Sequence, residues 1–183
     1  MSQFTGPGAT AVADAGAYTA AILGALGARD PFEVLRTTTA AVREAVISHP
    51  PAQLLVPEAP GKWSMGQVVQ HLADAELVGA FRFRMILAHD RPGLPGYDQD
   101  RWAERLSYAD SDIGAGLDQF TVLRAGNLRL LERATPDERR RVGVHTERGE
   151  ESIDHLLCMY AGHDLVHLRQ LARIAGAVRS TRA

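Results

Sequence analysis

Three observations in the sequence predict an all-α fold, specifically a four-helix bundle. Four long segments carry apolar residues at helical spacing. Capping residues and prolines mark where those segments begin and end. Strand-like patterning is nearly absent from the chain. Helices with one apolar side must bury that side against each other, so the predicted architecture is a bundle.

The first bundle helix is predicted to run from residue 31 to about residue 48. Asp30 can cap its N-terminus, and Pro31 suits the first helical position. The sequence His49-Pro50-Pro51 ends it. Before this helix, the apolar stretch from Tyr18 to Leu26 is predicted to form one or two helical turns.

The second and third helices are separated by an unusually long connection. Ser64 and Gln67 form a capping box for the second helix, which is predicted to end near Ala88. The third helix is predicted between Asp112 and Thr135. The intervening residues 89–112 contain two prolines and two glycines. A connection of this length is typical of a functional loop or of a crossover between distant helices.

The last helix is predicted over residues 151–175, after a polar loop with a short extended piece at Val142–His145. The three arginines at 139–141 in that loop are interpreted as a solvated surface run. Two apolar stripes are expected along the helix. The main core stripe comprises Leu157, Ala161, Leu165, Leu168 and Ala172. The adjoining stripe comprises Leu156, Tyr160, His163, His167, Gln170 and Ile174.

Length and composition predict one domain of ordinary globular character. We expect a flexible segment at residues 1–16, the bundle at 17–177 and a tail at 178–183. The net charge of -2 gives no general attraction to nucleic acid or anionic membranes, and neither is expected as a partner. A single cysteine excludes an intrachain disulfide, and no secretory signal or membrane span is evident, so the expected location is the cytoplasm.

His163 and His167 are spaced so that their side chains meet on one face of the last helix. Histidine pairs at this spacing recur in zinc sites, but catalytic zinc normally takes three protein ligands. His71, in the middle of the second helix, can complete the set because facing helices of a bundle share interior sites. Three imidazoles would suit zinc, nickel or iron. Alternatively, these histidines are hydrogen-bonded core residues.

Other side chains near this pattern have less defined predictions. Asp74 and Asp164 can be ligands or hydrogen-bond acceptors that orient the imidazoles, and the outer role is favoured for Asp164. Gln170 can bind a substrate or be an ordinary polar residue. Cys158 is interpreted as a small core residue. The remaining histidines are weaker candidates, at His49, His89, His145 and His155.

Two blocks of the sequence resemble the DinB-like superfamily of bacterial proteins. These are GKWSMGQVVQHLADAE, around Trp63 and His71, and AGHDLVHLRQL, around His163 and His167. The resemblance spans about residues 30–175. It implies an up-down-down-up bundle, in which residues 89–112 form the crossover, and a metal held by His71, His163 and His167.

The superfamily contains metal-dependent thiol S-transferases that use bacillithiol or mycothiol, together with putative metal hydrolases. The resemblance therefore implies a divalent ion, zinc or nickel, and favours transfer of a small thiol to an electrophile. Hydrolysis is the alternative, followed by a non-enzymatic stress protein that binds metal. Relatives often pair, so a homodimer is expected. No general base is predicted, and Tyr97, Trp102 and Tyr108 either line the mouth of the site or anchor the crossover.

Overall fold

The computed structural model describes residues 11–180 and confirms a mainly helical fold. The helices are α1 (Ala11–Leu26), α2 (Pro31–Ile47), α3 (Pro51–Leu54), α4 (Met65–Ala88), α5 (Gln99–Arg105), α6 (Ile113–Arg133), α7 (Pro136–Arg139) and α8 (Ile153–Ser180), with a 3-10 turn at Tyr108–Asp110. The strands are β1 (Gly93–Leu94), β2 (Val142–His145) and β3 (Gly149–Ser152). Within residues 11–180, no helix is long and apolar enough to cross a membrane.

The predicted helix boundaries agree closely with the structure, because the capping residues act as expected. The Asp30 side chain accepts hydrogen bonds from the backbone nitrogens of Phe32 and Glu33 at the start of α2. Ser64 and Gln67 form both bonds of the capping box at the start of α4, at 3.4 and 2.9 Å. These bonds satisfy backbone donors that a helix terminus leaves without partners.

Pairs of contacts between helices establish the topology of the bundle. Residues of α4 meet residues of α6 in increasing order, from Gly66 beside Ile113 to Arg84 bonded to Asn127, so these helices are parallel. Helix α2 is antiparallel to α6, since Arg36 bonds Glu132 whereas Arg43 bonds Asp118. Helix α8 is antiparallel to α4. The predicted up-down-down-up bundle is therefore confirmed.

The structure corrects the predicted polar loop ahead of α8. It contains α7 and a hairpin of β2 and β3, and β1 from the crossover pairs in parallel with β2. The arginine run is not uniformly solvated. Arg141 donates to the carbonyl oxygens of Ile86 and His89, and Arg139 pairs with Asp154, whereas Arg140 is exposed.

Both ends of the described chain are more helical than predicted. Helix α1 starts at Ala11, so part of the segment expected to be flexible is helical, while residues 1–10 lie outside the described residues. Contact with α8 accounts for this extra helix: a Cβ on Gly162 would overlap the carbonyl of Ile22, so only glycine permits the close approach. Helix α8 continues to Ser180, beyond the predicted end.

The core consists of two apolar clusters separated by a polar layer at mid-height. One cluster includes Val42, Leu72 and Leu171, and the other includes Leu35, Phe83 and Leu157. Between them lie buried polar residues of all four bundle helices: Thr38, His71, Glu76, Arg124, Asn127, Asp164 and His167. The predicted main stripe of α8 is wrong at its C-terminal end, where Ala172 is exposed and Leu168 only half-buried. Cys158 is half-buried against the second cluster.

Candidate metal centre

Helices α4 and α8 bring three imidazoles together in the polar layer. The Nε2 atom of His163 lies 3.0 Å from Nε2 of His71 and 3.1 Å from Nε2 of His167. One ligand atom from each histidine lies within 4.8 Å of the others. Tetrahedral zinc with bonds near 2.1 Å would separate such nitrogens by about 3.4 Å. The three histidines singled out from the sequence thus form one cluster with the size of a metal site.

The surroundings fix the orientations of two of the three imidazoles by different means. Trp63, ahead of α4, packs on the ring of His71 with ring centroids 5.0 Å apart. Gln170 lies one turn after His167, and its Oε1 is 2.8 Å from Nδ1 of that ring. His71 and His167 are buried, whereas His163 is half-buried. His163 therefore gives the cluster its access to solvent.

Gln170 determines which nitrogen of His167 is available to a ligand. An amide oxygen can only accept, so the proton of neutral His167 lies on Nδ1. Its Nε2 is then a bare acceptor directed at the other two imidazoles. This is the arrangement found around ligating histidines, where a hydrogen bond to one ring nitrogen fixes the tautomer. Of the roles open to Gln170, the structure shows one, that of orienting His167.

The three Nε2 atoms cannot satisfy one another. If His163 donates its single Nε2 proton to His167, that nitrogen has no lone pair left to accept from His71. If it accepts from His71 instead, its contact with His167 joins two bare nitrogens. In either case one of the two contacts is not a hydrogen bond. A cation bound by all three nitrogens would remove this conflict, so the donor set fits a metal ion.

Burial keeps the cluster in the protonation state that binds metal. It lowers the pKa of His71 and of His163 well below the usual value, with further lowering by the neighbouring histidines. It lowers the pKa of His167 to about 4, although the hydrogen bond with Gln170 partly opposes this. All three imidazoles are therefore neutral at pH 7, and neutral imidazole is the metal ligand.

A buried network of charged residues lies beside the cluster and includes Asp164. Arg124 of α6 contacts Asp164 at 2.6 and 3.2 Å and Glu76 at 2.9 Å, and it also donates to the carbonyl of Leu35. Asn127 donates to Glu76 at 2.8 Å. Asp164 thus pairs with an arginine, and among the described residues it makes no hydrogen bond to an imidazole, as its predicted orienting role would require.

Arg124, Glu76 and Asn127 were missed in the reasoning from sequence. A signal for two of them was present, because Arg124 and Asn127 occupy the apolar side of α6 between Phe120 and Leu131. Polar residues inside such a stripe need buried partners. Their partners on α4 and α8 could not be identified without knowing which helices face α6.

The aromatic residues of the crossover take different positions. Tyr108 is buried and donates a hydrogen bond to Asp74 at 2.6 Å, and its ring lies 6.4 Å from Trp63. Tyr108 therefore anchors the crossover to α4, and Asp74 accepts this bond instead of contacting the histidines. Tyr97 and Trp102 pack together with ring centroids 4.5 Å apart, and both are half-buried.

The other four histidines lie outside the cluster. His49 contacts the carbonyl of Ala45, His89 is exposed, and His155 lies near Glu151. His145 was expected in a polar loop, but it is buried in β2 with Nε2 3.0 Å from a guanidinium nitrogen of Arg82. None of these four approaches the three clustered imidazoles as a possible ligand within the described residues.

Fold and site together define a four-helix bundle with a three-histidine cluster between α4 and α8. The model of the DinB superfamily matches residues 34–171, and the chain belongs to that superfamily. The resemblance noted in the sequence is thereby confirmed.

Curated relatives are consistent with this assignment. The chain is 28% identical to "Putative metal-dependent hydrolase YfiT" of Bacillus subtilis over 79% of this chain and 84% of that protein. It is 29% identical to "Putative metal-dependent hydrolase OB0782" of Oceanobacillus iheyensis over 62% of this chain and 66% of that protein.

A solved structure of YfiT shares the fold, with a TM-score of 0.74 and 25% identity over 79% of this chain and 83% of that one. YfiT is described there as a probable metal-dependent hydrolase with an unusual four-helix bundle topology. In the present chain, the parallel pair α4 and α6 makes the bundle differ from a simple up-down-up-down arrangement.

Proposed function

We propose that the chain is a metal-dependent hydrolase whose divalent ion is held by His71, His163 and His167. The observation that carries this proposal is the convergence of three neutral Nε2 atoms that cannot satisfy one another. The names of the relatives support hydrolysis as the reaction. We propose zinc or nickel as the ion, since both suit imidazole ligands.

The residues of the chain prepare an open site. Three protein ligands leave at least one coordination position for water or substrate, and the half-buried His163 marks the side from which it is reached. A divalent ion bound there would lower the pKa of a coordinated water to near neutrality and polarise a carbonyl group. Gln170 and Trp63 hold two of the imidazoles in place, so the ligand geometry is set before the ion binds.

The experiment is hydrolysis of p-nitrophenyl acetate by protein loaded with zinc or nickel. We expect release of p-nitrophenolate that is lost with chelator, restored by added ion and absent in His163→Ala. The matched control is His89→Ala, which removes an exposed histidine outside the cluster. Ester cleavage that persists in chelator-treated His163→Ala protein would contradict the proposal.

Thiol S-transfer, the reaction favoured by the family resemblance, would use the same centre. An assay with a small thiol distinguishes this reaction from hydrolysis. Three neutral ligands leave the charge of a divalent ion uncompensated, which favours a thiolate as much as hydroxide. Cobalt-substituted protein is mixed with bacillithiol or mycothiol, and conjugation to monobromobimane is followed. A sulfur-to-metal absorption band with metal-dependent conjugation, and no ester cleavage, would favour the transferase over the hydrolase. An ion bound without either reaction would indicate a metal-binding protein that is not an enzyme.

A further inference from the structure

A second polar cluster is centred on Arg82 of α4. Its member on α8, Tyr160, lies about one helical turn from the metal centre. The Arg82 side chain is 5% exposed and donates to the carbonyl oxygen of Pro95 at 2.7 Å. Arg82 also contacts Nε2 of His145 at 3.0 Å and forms a side-chain hydrogen bond with Tyr160. Its Nε atom is buried and has no hydrogen-bond partner among the described residues. A buried guanidinium in this state has donors left for a further ligand.

The charge of Arg82 is not balanced inside this cluster. Within the part of the chain that the structure describes, Arg82 forms no ion pair, whereas the neighbouring Arg148 is paired with Glu151 at 2.6 and 2.9 Å. His145 contributes no positive charge at pH 7, since burial lowers its pKa to about 4. A buried cation without a counter-ion is costly. The cluster therefore favours one added negative charge.

Three half-buried tyrosines surround this cation from separate elements. They are Tyr18 on α1, Tyr97 in the crossover and Tyr160 on α8. Each is close enough for the charge of Arg82 to lower its pKa, although burial raises the pKa of all three by more. Gly79 makes room for Tyr160, because a Cβ at that position would lie 2.8 Å from its ring. Their hydroxyl groups therefore stay protonated, and those of Tyr97 and Tyr160 can donate to an anion.

Tyr160 connects the two clusters. It precedes His163 by about one helical turn on α8, and both side chains are half-buried. Arg82 lies about three turns after His71 on α4, but a side-chain hydrogen bond joins it to Tyr160. The carboxylates of Asp74 and Glu76 are already engaged, by Tyr108 and Arg124. A substrate that spans both clusters would therefore pass Tyr160.

We propose that Arg82, with Tyr97 and Tyr160, binds a carboxylate group that the substrate carries away from the bond that is cleaved. A single negative charge matches the one uncompensated guanidinium, whereas a phosphate dianion would leave an excess negative charge. The assignment of the carboxylate to a substrate rests on the proposed hydrolase, but the anion site does not. The predicted substrate class is an ester or amide with a carboxylate at its far end.

Direct binding tests the site without any catalysis. Metal-free protein is titrated with 4-fluorophenylacetate and with its neutral isostere 4-fluorophenylacetamide, and fluorine NMR reports the affinity. We expect wild-type protein to prefer the acid by tenfold or more, roughly the worth of a charged hydrogen bond. Arg82→Gln should lose this preference and Arg82→Lys should keep part of it. The control Arg133→Gln, at an exposed arginine at the end of α6, should behave as wild type.

Two results would overturn the site. One is equal affinity of wild-type protein for the acid and the amide, a result that does not depend on any variant folding. The other is binding of the acid that requires added zinc and survives Arg82→Gln, because the carboxylate would then be a metal ligand.

The substrate assignment is tested with zinc-loaded protein and the p-nitrophenyl esters of suberic acid (as half-ester) and octanoic acid. The half-ester should have the higher kcat/KM, with the ratio reduced about tenfold by Arg82→Gln. Absence of all ester cleavage with intact binding of the acid would count against the hydrolase alone.

Discussion

Two groups of buried polar side chains lie next to each other in the middle of the bundle and differ in how they are satisfied. In the Arg124 network, the guanidinium meets the carboxylates of Glu76 and Asp164, so opposite charges face one another. In the histidine cluster, three neutral rings direct the same kind of atom toward one point. Most members of both groups are buried, yet only the first group pairs opposite charges among the described residues.

The difference distinguishes a structural role from a ligand site. Buried polar groups normally find complementary partners, and the carboxylates of the Arg124 network find a guanidinium among α4, α6 and α8. The three imidazoles instead meet through the same ring nitrogen, and His163 has one Nε2 site for two such contacts. Convergence of three ring nitrogens therefore points to a cation bound between them, whereas pairing of opposite charges does not.

The two groups are also electrostatically linked. Arg124 balances only one of its two carboxylates, so its network carries excess negative charge within the same polar layer. The charge of Asp164 opposes the lowering of the pKa of His167, whereas the charge of Arg124 lowers the pKa of His163 further. The two groups are therefore within electrostatic range, and the network acts on the two imidazoles in opposite directions.

The largest expected effect is loss of metal on removal of one imidazole. Wild-type protein purified without chelator should contain about one divalent ion per chain, measured by mass spectrometry of the metal. His163→Ala or His167→Ala should retain less than about one-tenth of it, because catalytic metal sites normally use three protein ligands.

His71 is the decisive position for the three-ligand description. It comes from a different helix than the other two ligands, so His71→Ala tests the contact between α4 and α8 as well as the ion. His89→Ala serves as the control at an exposed histidine. Full metal content in His71→Ala would show that the ion is held elsewhere, for example with the help of Asp74 or Asp164.

The next effect is on stability and concerns the charged network. Arg124→Met leaves two buried carboxylates facing each other, and we expect the free energy of unfolding to fall by about 3–5 kcal/mol. Arg36→Met removes an exposed pair with Glu132 and should change the free energy of unfolding far less. Urea unfolding measures both.

Neutralising the carboxylates provides a second check on this interpretation. If charge is the cause, adding Glu76→Gln and Asp164→Asn to Arg124→Met should recover part of the lost stability. An equal loss for Arg124→Met and Arg36→Met would mean that the buried network is no more important than a surface pair.

A smaller effect is expected from Gln170, which orients one imidazole of the histidine cluster. Gln170→Leu removes the acceptor for Nδ1 of His167 and leaves the three ligands in place. We expect metal affinity to fall about 10- to 100-fold, as for other groups that orient a ligating histidine. Competition with a chromophoric chelator measures this affinity. Arg169→Ala, at the exposed neighbouring position, should leave it unchanged.

Much of the fold could be predicted because its signals are local. The caps at Asp30 and Ser64 depend only on residues within one turn, and both act as predicted. The hairpin around Val142–His145 was underestimated, because its stability comes from pairing with β1 in the distant crossover. The extent of α1 was also missed, since it depends on the contact at Gly162.

The histidines could be found from sequence because their spacing and the family resemblance both identify them. The roles of Arg124 and Arg82 could not be predicted, because the residues that they contact come from other helices and from the crossover. The role of Gln170 was left open for a related reason. Its position on the ligand stripe was correct, but whether it faces a substrate or an imidazole depends on side-chain rotation.

The smallest expected effect is the response of metal-free protein to mild acid. Folding lowers the pKa of His167 and of His145 to about 4, chiefly by burial, and lowers those of His71 and His163 as well. The unfolded chain, with ordinary pKa values near 6.5, then binds more protons than the folded chain. The stability that these histidines contribute is fully present above about pH 6.5 and is lost as the pH falls toward 4.

When the pH falls from 7 to 6, protonation of each of these histidines in the unfolded chain should lower the free energy of unfolding by less than about 1 kcal/mol. Carboxylates in their ordinary range contribute little there, so urea unfolding at the two values isolates the histidines. His145→Asn should reduce the fall by one histidine's share and leave the rest, because the clustered imidazoles remain. A free energy of unfolding that rises as the pH falls from 7 to 6 would mean that these histidines gain protons with folding. The neutral, acceptor-rich cluster would then be the wrong description, and its contrast with the Arg124 network would disappear.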